Sequence, residues 1–320
     1  MSLWKNRPKH IAEYFGLRLF AGLVRRLPYR AALSLGWFVA LIAHFVVRWR
    51  TAEARRRIRE VFGDTISESR VRNVAWISMR NLAFNAVDSV RLPALTRAWV
   101  ERHTDYADVQ KVLDVSARGG SILVVPHMGS WDLAGVAGNL FGLPMFIIVG
   151  TQKNPLTDEF VNRMRGITGV ETIPRDSGAL RGTIKRLKAG RLLTIMTDLR
   201  SKTPGVKARF LGKEANLVAG MGMFARMANV PIIPAVVTRR GWTRHIWRVS
   251  DPIYPDISAD RDADIARMTQ QVMDIFDRAI RAEPEQYFWY NKRWVLDPLE
   301  PADQMPAQAA AVKDDGTGTA

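Results

Sequence analysis

Between residues 110 and 240 the apolar positions fall in short aliphatic and β-branched runs: SILVVP at 121–126, MFIIVG at 145–150, VETIP at 170–174, LLTIMT at 192–197 and IIPAVVT at 232–238. The segments between several of them, SGALRGTIKRLKAG and LVAGMGMFARMANV, repeat apolar residues at three- and four-residue steps, so strands alternate with helices. That alternation predicts an α/β fold with a mostly parallel sheet flanked by helices. Two further stretches carry the helical period. AWISMRNLAFNAVDSVRL precedes the strands, and DADIARMTQQVMDIFDRAI follows them with Ile265, Met268, Val272, Ile275 and Ala279 on one side. The pattern predicts no internal repeat.

The first 60 residues have a different pattern. YFGLRLFAGLVRRLPYR leads into a stretch, Ala31 to Val47, with no formal charge, and the basic cluster Arg55-Arg56-Arg57-Ile58-Arg59 follows. Thirteen Lys or Arg stand against three Glu in residues 1–60, so about ten of the sixteen net positive charges of the chain lie there. Interleaved with Leu, Phe and Trp, this charge suits an anionic membrane surface, and nothing in it resembles a nucleic-acid-binding module. The segment reads as a short span, as amphipathic helices lying in the interface, or as a soluble basic helical pair packed on the domain. A cleaved signal peptide does not fit, because the apolar stretch begins late and carries Arg18 and Arg25-Arg26. The expected organisation is residues 1–60 as a basic apolar membrane-anchoring segment, 61–299 as the α/β domain, and 300–320 as a disordered tail poor in bulky apolar residues.

At 320 residues and 47% hydrophobic content the chain can bury a full core. It has no cysteine, which excludes a thiol nucleophile, a disulfide framework and a cysteine-based zinc site. His10, His44, His103 and His245 show no ligand spacing, so no metal and no resident cofactor are expected. Gly220-Met221-Gly222-Met223-Phe224-Ala225 fits G-x-G-x-x-A but lacks the strand and the acidic residue of a dinucleotide site; it reads as the start of a closely packed helix. Trp289 and Trp294, beside Lys292 and Arg293, read equally as an interface belt or as a core edge.

The histidine that matters is His127 in VVPHMGSWD. It follows the strand SILVV and precedes the helical stretch WDLAGVAGNLF, which puts it at the carboxyl end of a strand, where open α/β sheets bind ligands. Asp132, five residues on, can return across the turn to fix the imidazole tautomer and make a general base. The alternative is that Asp132 caps the helix and His127 is a satisfied loop residue.

HMGSWDLAG resembles the H-x-x-x-x-D/E block of the bacterial lipid A biosynthesis lauroyl/myristoyl acyltransferases, a family that includes the phosphatidylinositol mannoside acyltransferases of mycobacteria. LRGTIKRLKAGRLLTIMTD, GVKARFLGKEANLVAGMGMFARMANVPIIPAVV and PEQYFWYNKRW follow in the family's order, so the resemblance runs to about residue 297. It implies a lysophospholipid-acyltransferase-like fold and transfer of a fatty acyl chain from a thioester, on acyl carrier protein or coenzyme A, to a hydroxyl of a membrane glycolipid. It further implies His127 as base and Asp132 as its orienting acid. Arg163 or Arg165 in VNRMRG and Asp198 in MTDLR match functional positions of the family as substrate contacts. Lys207 and Arg209 read either as phosphate-neutralising groups or as a solvated strand face. Leu199-Arg200 and Phe210-Leu211-Gly212 depart from the common pattern, as does Asp132 where many relatives carry Glu. The expected place of work is the cytoplasmic side of the inner membrane, with anionic lipids, the glycolipid acceptor and the thioester donor as partners and no nucleic acid. The alternatives are a non-catalytic membrane lipid-binding protein on the same fold and a basic nucleic-acid-binding protein that uses the N-terminal charge.

Overall fold

The computed structural model describes residues 7–150, 153–175 and 178–298. The tail expected at 300–320 lies outside the described residues. Five helices come first: α1 (Pro8–Arg26), α2 (Tyr29–Leu41, continued by a π turn over Ile42–Val46), α3 (Thr51–Phe62), α4 (Glu68–Arg91) and α5 (Arg97–His103). Then follow β1 (Thr104–Asp105), α6 (Val109–Ser116), β2 (Ser121–Val125), α7 (Trp131–Leu140), β3 (Met145–Val149), α8 (Pro155–Ile167), β4 (Glu171–Pro174), α9 (Ala179–Lys188) and β5 (Leu192–Met196). The chain continues through β6 (Val206–Phe210), β7 (Lys213–Leu217), α10 (Gly220–Ala228), β8 (Ile232–Arg240), β9 (Arg244–Val249) and α11 (Arg261–Ala282).

Seven strands form one sheet in the order β1-β9-β8-β2-β5-β3-β4, and β6 with β7 makes a separate hairpin. Pairing is parallel throughout the large sheet except between β8 and β9. The five aliphatic runs are therefore the five co-directional strands. β2 lies at the centre and is covered on both faces: Ile122 and Val124 enter the cluster formed with α3, α4, α10 and α11, while Leu123 enters the one formed with α5, α6 and α7. A strand buried on both sides needs no polar alternation, which is why SILVV reads as a continuous apolar run. β9, RHIWRV, carries basic residues at its ends and did not stand out in the apolar pattern; it adds antiparallel through the short turn at Gly241.

α11 buries Ile265, Met268 and Val272 as the periodicity predicts, but the buried stripe continues through Phe276 and Ile280, leaving Ile275 and Ala279 at its edge. Gly222 lets α10 approach α11 closely, since a Cβ there would lie 3.0 Å from Ile265 Cγ2. The glycine pair thus belongs to helix packing. Trp289 and Trp294 are core residues, both fully buried.

The N-terminal helices pack on the same body. α2 lays Ala32, Leu33, Gly36 and Ala40 along α4, with Gly36 against Val87 and Phe84. Its opposite side leaves Phe38, Val39, Ile42, Phe45 and Val46 exposed, and α1 leaves Phe15, Leu19 and Leu23. Among the described residues Tyr29–Val46 is the one helix long and apolar enough to cross a membrane. Arg57 of the basic cluster is buried: Nη1 donates to the carbonyls of Trp289 and Asn291 at 2.8 and 2.6 Å, and the guanidinium sits over Trp294. One of the charges expected at a membrane instead clamps the C-terminal segment.

Candidate active site

The register of two neighbouring strands builds the site. β2 and β5 pair in parallel with Val125 opposite Met196, so the residues two positions beyond, His127 and Asp198, leave the sheet side by side at its carboxyl edge. The His127 ring Nδ1 lies 2.7 Å from Asp198 Oδ1, and the His127 backbone N–H donates to Oδ2 at 2.8 Å. One carboxylate holds both the ring and the main chain of the histidine. Asp198 is 1% exposed, and the nearby Tyr287 phenol has its own ionisation pushed upward by burial and by that carboxylate.

The His127 side chain is 12% exposed. Trp131 meets its ring edge-on at 5.2 Å between centroids, and Phe288 lies at 6.4 Å. Burial alone would lower the imidazole pKa from 6.5, but the Asp198 charge and hydrogen bond, with a smaller contribution from the Asp132 charge, outweigh it and the Arg293 repulsion, so the value is raised. With Nδ1 committed to Asp198, the neutral ring presents the Nε2 lone pair, and Nε2 has no partner among the described residues. Such a nitrogen can take a proton from a hydroxyl.

The loop is fixed from below by a buried polar network. Gly129 has φ +61°, and a Cβ there would fall 2.1 Å from the Val237 carbonyl oxygen, so only glycine fits the turn. Its N–H donates to the Gln286 carbonyl at 3.0 Å, and its carbonyl accepts from Asn85 Nδ2 at 2.5 Å. Ser130 Oγ donates to Asp88 at 2.7 Å. Asp88 also accepts from Arg239 and from Tyr29 in a fully buried pair, and Asn85 and Gln286 bond to Arg239 in turn. Burial and the Arg239 charge hold the neighbouring His245 neutral, with its pKa down to about 3. The antiparallel contact of Met128 with Tyr287, and the bond from Phe288 N–H to the His127 carbonyl at 2.9 Å, clamp the loop from the C-terminal side.

The bond expected from Asp132 to the imidazole is made by Asp198 instead. Asp132 is exposed in the first turn of α7 and accepts from Ser89 Oγ at 2.8 Å. The reason is geometric: α7 starts at Trp131 and turns Asp132 toward Ser89 of α4, whereas the parallel pairing of β2 with β5 sets Asp198 beside the ring. Arg163 lies on α8, paired to Glu159 at 2.7 Å. Arg165 lies on the same helix, and its side chain falls outside the described residues. Lys207 and Arg209 sit on the exposed face of the β6–β7 hairpin. Lys207 pairs with Glu214 at 2.9 Å, and the Arg209 backbone is tied to Gln270 of α11. The structure thus joins His127 with Asp198 and places Arg163, Lys207 and Arg209 elsewhere. Trp131, Tyr287, Phe288 and Arg293 around the ring were not found as site residues from sequence. For Tyr287, Phe288 and Arg293 the signal was the aromatic density of YFWYNKRW, which does not say what the aromatics face.

The family model for bacterial lipid A biosynthesis acyltransferase matches residues 5–295. A phosphatidylinositol mannoside acyltransferase of Mycolicibacterium smegmatis is 24% identical over 285 residues, 86% of this chain and 89% of that protein. The lipid A biosynthesis lauroyltransferase of Escherichia coli K12 is 22% identical over 296 residues, 91% of this chain and 94% of that protein. A phosphatidylinositol mannoside acyltransferase of Mycobacterium tuberculosis H37Rv is 23% identical over 184 residues, 56% of this chain and 55% of that one. The family match spans nearly the whole chain and includes the His127 loop, β5 and the clamp at 286–289. This protein belongs to the bacterial lipid A biosynthesis acyltransferase family, and acyl transfer to a glycolipid is the activity that membership supports.

Proposed function

We propose that this protein moves a fatty acyl chain from a thioester, on acyl carrier protein or coenzyme A, to a hydroxyl of a membrane glycolipid, with His127 as general base and Asp198 as its orienting carboxylate. The observation that carries the reading is the one-sided binding of the imidazole: Nδ1 is held by a buried carboxylate while Nε2 is unclaimed at the carboxyl edge of the sheet. In this scheme Nε2 accepts the proton of the acceptor hydroxyl as its oxygen attacks the thioester carbonyl. Collapse of the tetrahedral intermediate breaks the carbon–sulfur bond, and the proton on Nε2 passes to the departing thiolate. The imidazolium formed between these steps is stabilised by Asp198. A thioester is already activated, so the chemistry calls for no enzyme nucleophile and no further cofactor. The Ser130 hydroxyl points to Asp88 and leaves the first turn of α7 without a side-chain cap, so its amides are available to the developing oxyanion.

We place the site of action at the cytoplasmic face of the inner membrane, with α1 and α2 lying in the interface. The inner face of α2 is occupied by α4 while its outer face is apolar, an arrangement suited to lying in the surface plane. The test is to incubate the purified protein with acyl-carrier-protein or coenzyme A thioesters and membrane lipid extract, and to follow the lipids by mass spectrometry. Acylated glycolipid is expected with the wild type, and at least a hundredfold less with a folded His127→Ala protein, in line with the ~10²–10⁴-fold contribution of general-base catalysis. Undiminished transfer by His127→Ala would remove the mechanism.

A further inference from the structure

Between Asp176 and Asp198 the chain carries no acidic residue and five basic ones, Arg181, Lys185, Arg186, Lys188 and Arg191. The fold divides them into two groups. Arg186 and Arg191 are both tied to Glu171 of β4, at 2.6 and 3.1 Å. Arg181, Lys185 and Lys188 of α9 are exposed and make no ion pair among the described residues. At 3.6 residues per turn these three fall within about 60° of one another, one cation to each turn of the helix. The opposite side of α9 buries Thr183 and Leu187. Like charges three and four residues apart weaken a helix, and α9 has no acid to offset them, so the row costs stability that packing does not require.

The row ends at the catalytic edge of the sheet. β4, β3, β5 and β2 all run in parallel, so α9, which follows β4, begins at the carboxyl edge from which His127 and Asp198 emerge. Two strand spacings, roughly 10 Å, separate the end of β4 from that of β5. Arg175, exposed where β4 ends, extends the positive charge to that edge. From Arg181 the row runs about 10 Å down the helix to Lys188.

Its surroundings say which kind of anion it suits. Leu180 is the one bulky apolar side chain of α9 left exposed, at 42%. The long apolar strips lie instead on α1 and α2, which pack with α4 and α8, whereas α9 packs on α10, β4 and β5. A cationic row with a single apolar residue beside it fits a polar protein interface and not insertion into lipid. A compact nucleotide calls for cations that converge on one point. One cation per turn over about 10 Å matches acids spaced along a partner helix.

We propose that the exposed side of α9 is the docking surface for an acidic carrier protein, which presents a helix to Arg181, Lys185 and Lys188 and delivers its thioester arm over the end of β4 to His127. The assignment rests on the acyltransferase reading given above, and it commits the donor to a protein-borne thioester. Charge complementarity of this kind steers encounter and fixes orientation, which a long flexible arm by itself does not.

The test separates docking from turnover. Apo acyl carrier protein, which lacks the arm, is titrated calorimetrically into the full-length protein, into Arg181→Glu/Lys185→Glu, and into a charge-matched control, Arg102→Glu/Arg118→Glu, at exposed positions on the other face of the sheet. The wild type should bind, and more weakly as ionic strength rises. Reversal on α9 should weaken binding by roughly tenfold or more and the control by less than about twofold. Arg181→Gln/Lys185→Gln should show a smaller loss in the same direction, which keeps the test decisive if the reversal variant does not fold. In turnover, the α9 variants should raise KM for the acyl-carrier-protein thioester and leave unchanged the KM of the acceptor and of the same acyl chain on coenzyme A. A merely structural defect would move all three. No binding by the wild type, an equal loss in the control, or an equal rise in KM for the coenzyme A thioester would overturn the proposal. Displacement of the carrier by a short RNA, with RNA binding lost in the same α9 variants, would assign the row to nucleic acid instead. Absence of acyl transfer by a wild type that still binds the carrier through α9 would count against the catalytic reading alone.

Discussion

At the scale of single residues, the account turns on which carboxylate serves His127. Asp198 contacts the ring at 2.7 Å, while Asp132 acts on it only through charge. The raised pKa gives opposite signs to two pH effects. The contribution of His127 to fold stability is complete below the ordinary histidine value of 6.5 and is lost as pH rises through the higher folded-state value. Activity requires the neutral ring, so the turnover rate should fall as pH drops through a value above 6.5, measurable as the inflection of kcat against pH. Asp132→Asn removes one of the charges that raise the value and should move that inflection toward lower pH. An inflection that does not move would mean that the Asp132 charge is screened from the ring. Sequence reading found both carboxylates and the histidine, yet paired the histidine with the nearer one. Spacing along the chain carries information about turns, whereas adjacency of β2 and β5 is a property of sheet order that no local pattern states.

At the scale of elements, the catalytic loop depends on α4 and β8 as much as on the strand that leads into it. The pair Asp88–Arg239 is fully buried, and Ser130, Asn85 and Tyr29 all bond into it. Replacing one partner leaves the other charge without compensation, so Asp88→Asn should cost roughly 3–5 kcal/mol of stability, read from denaturant unfolding with the slope unchanged. A loss below about 1 kcal/mol would show that the network tolerates a neutral partner. The strands and the late helices were legible because their apolar periods are long and regular. β9 was not, since its alternation includes arginines on the exposed face, and of the β6–β7 hairpin only the strand face of Lys207 and Arg209 was read. Arg57 was misleading for the same reason: a cation in a basic cluster looks solvated until the carbonyls of Trp289 and Asn291 are found at its tip.

At the scale of the whole molecule, the N-terminal helices are at once part of the core and carriers of an exposed apolar surface. Ala40, Ala54 and Ile58 share a cluster with the sheet, so deleting residues 1–60 would strip the core as well as the exposed apolar strips. Membrane attachment is better tested with Phe15→Ser, Leu19→Ser, Phe38→Ser and Phe45→Ser combined, all at exposed positions. Burial of each large side chain is worth ~1.5–3 kcal/mol, so the four together should shift the protein from sedimented membranes to the supernatant with little change in Tm. Retention on the membrane by the quadruple variant would place the anchor elsewhere. The central claim, that the base is oriented from the neighbouring strand, is tested most directly by kcat for Asp198→Asn and Asp132→Asn measured side by side on folded protein. Asp198→Asn should lower kcat by two orders of magnitude or more, because the amide mis-sets the tautomer and cannot stabilise the imidazolium, and Asp132→Asn should lower it by about tenfold or less. Near-wild-type turnover by Asp198→Asn, with the large loss in Asp132→Asn, would contradict the account.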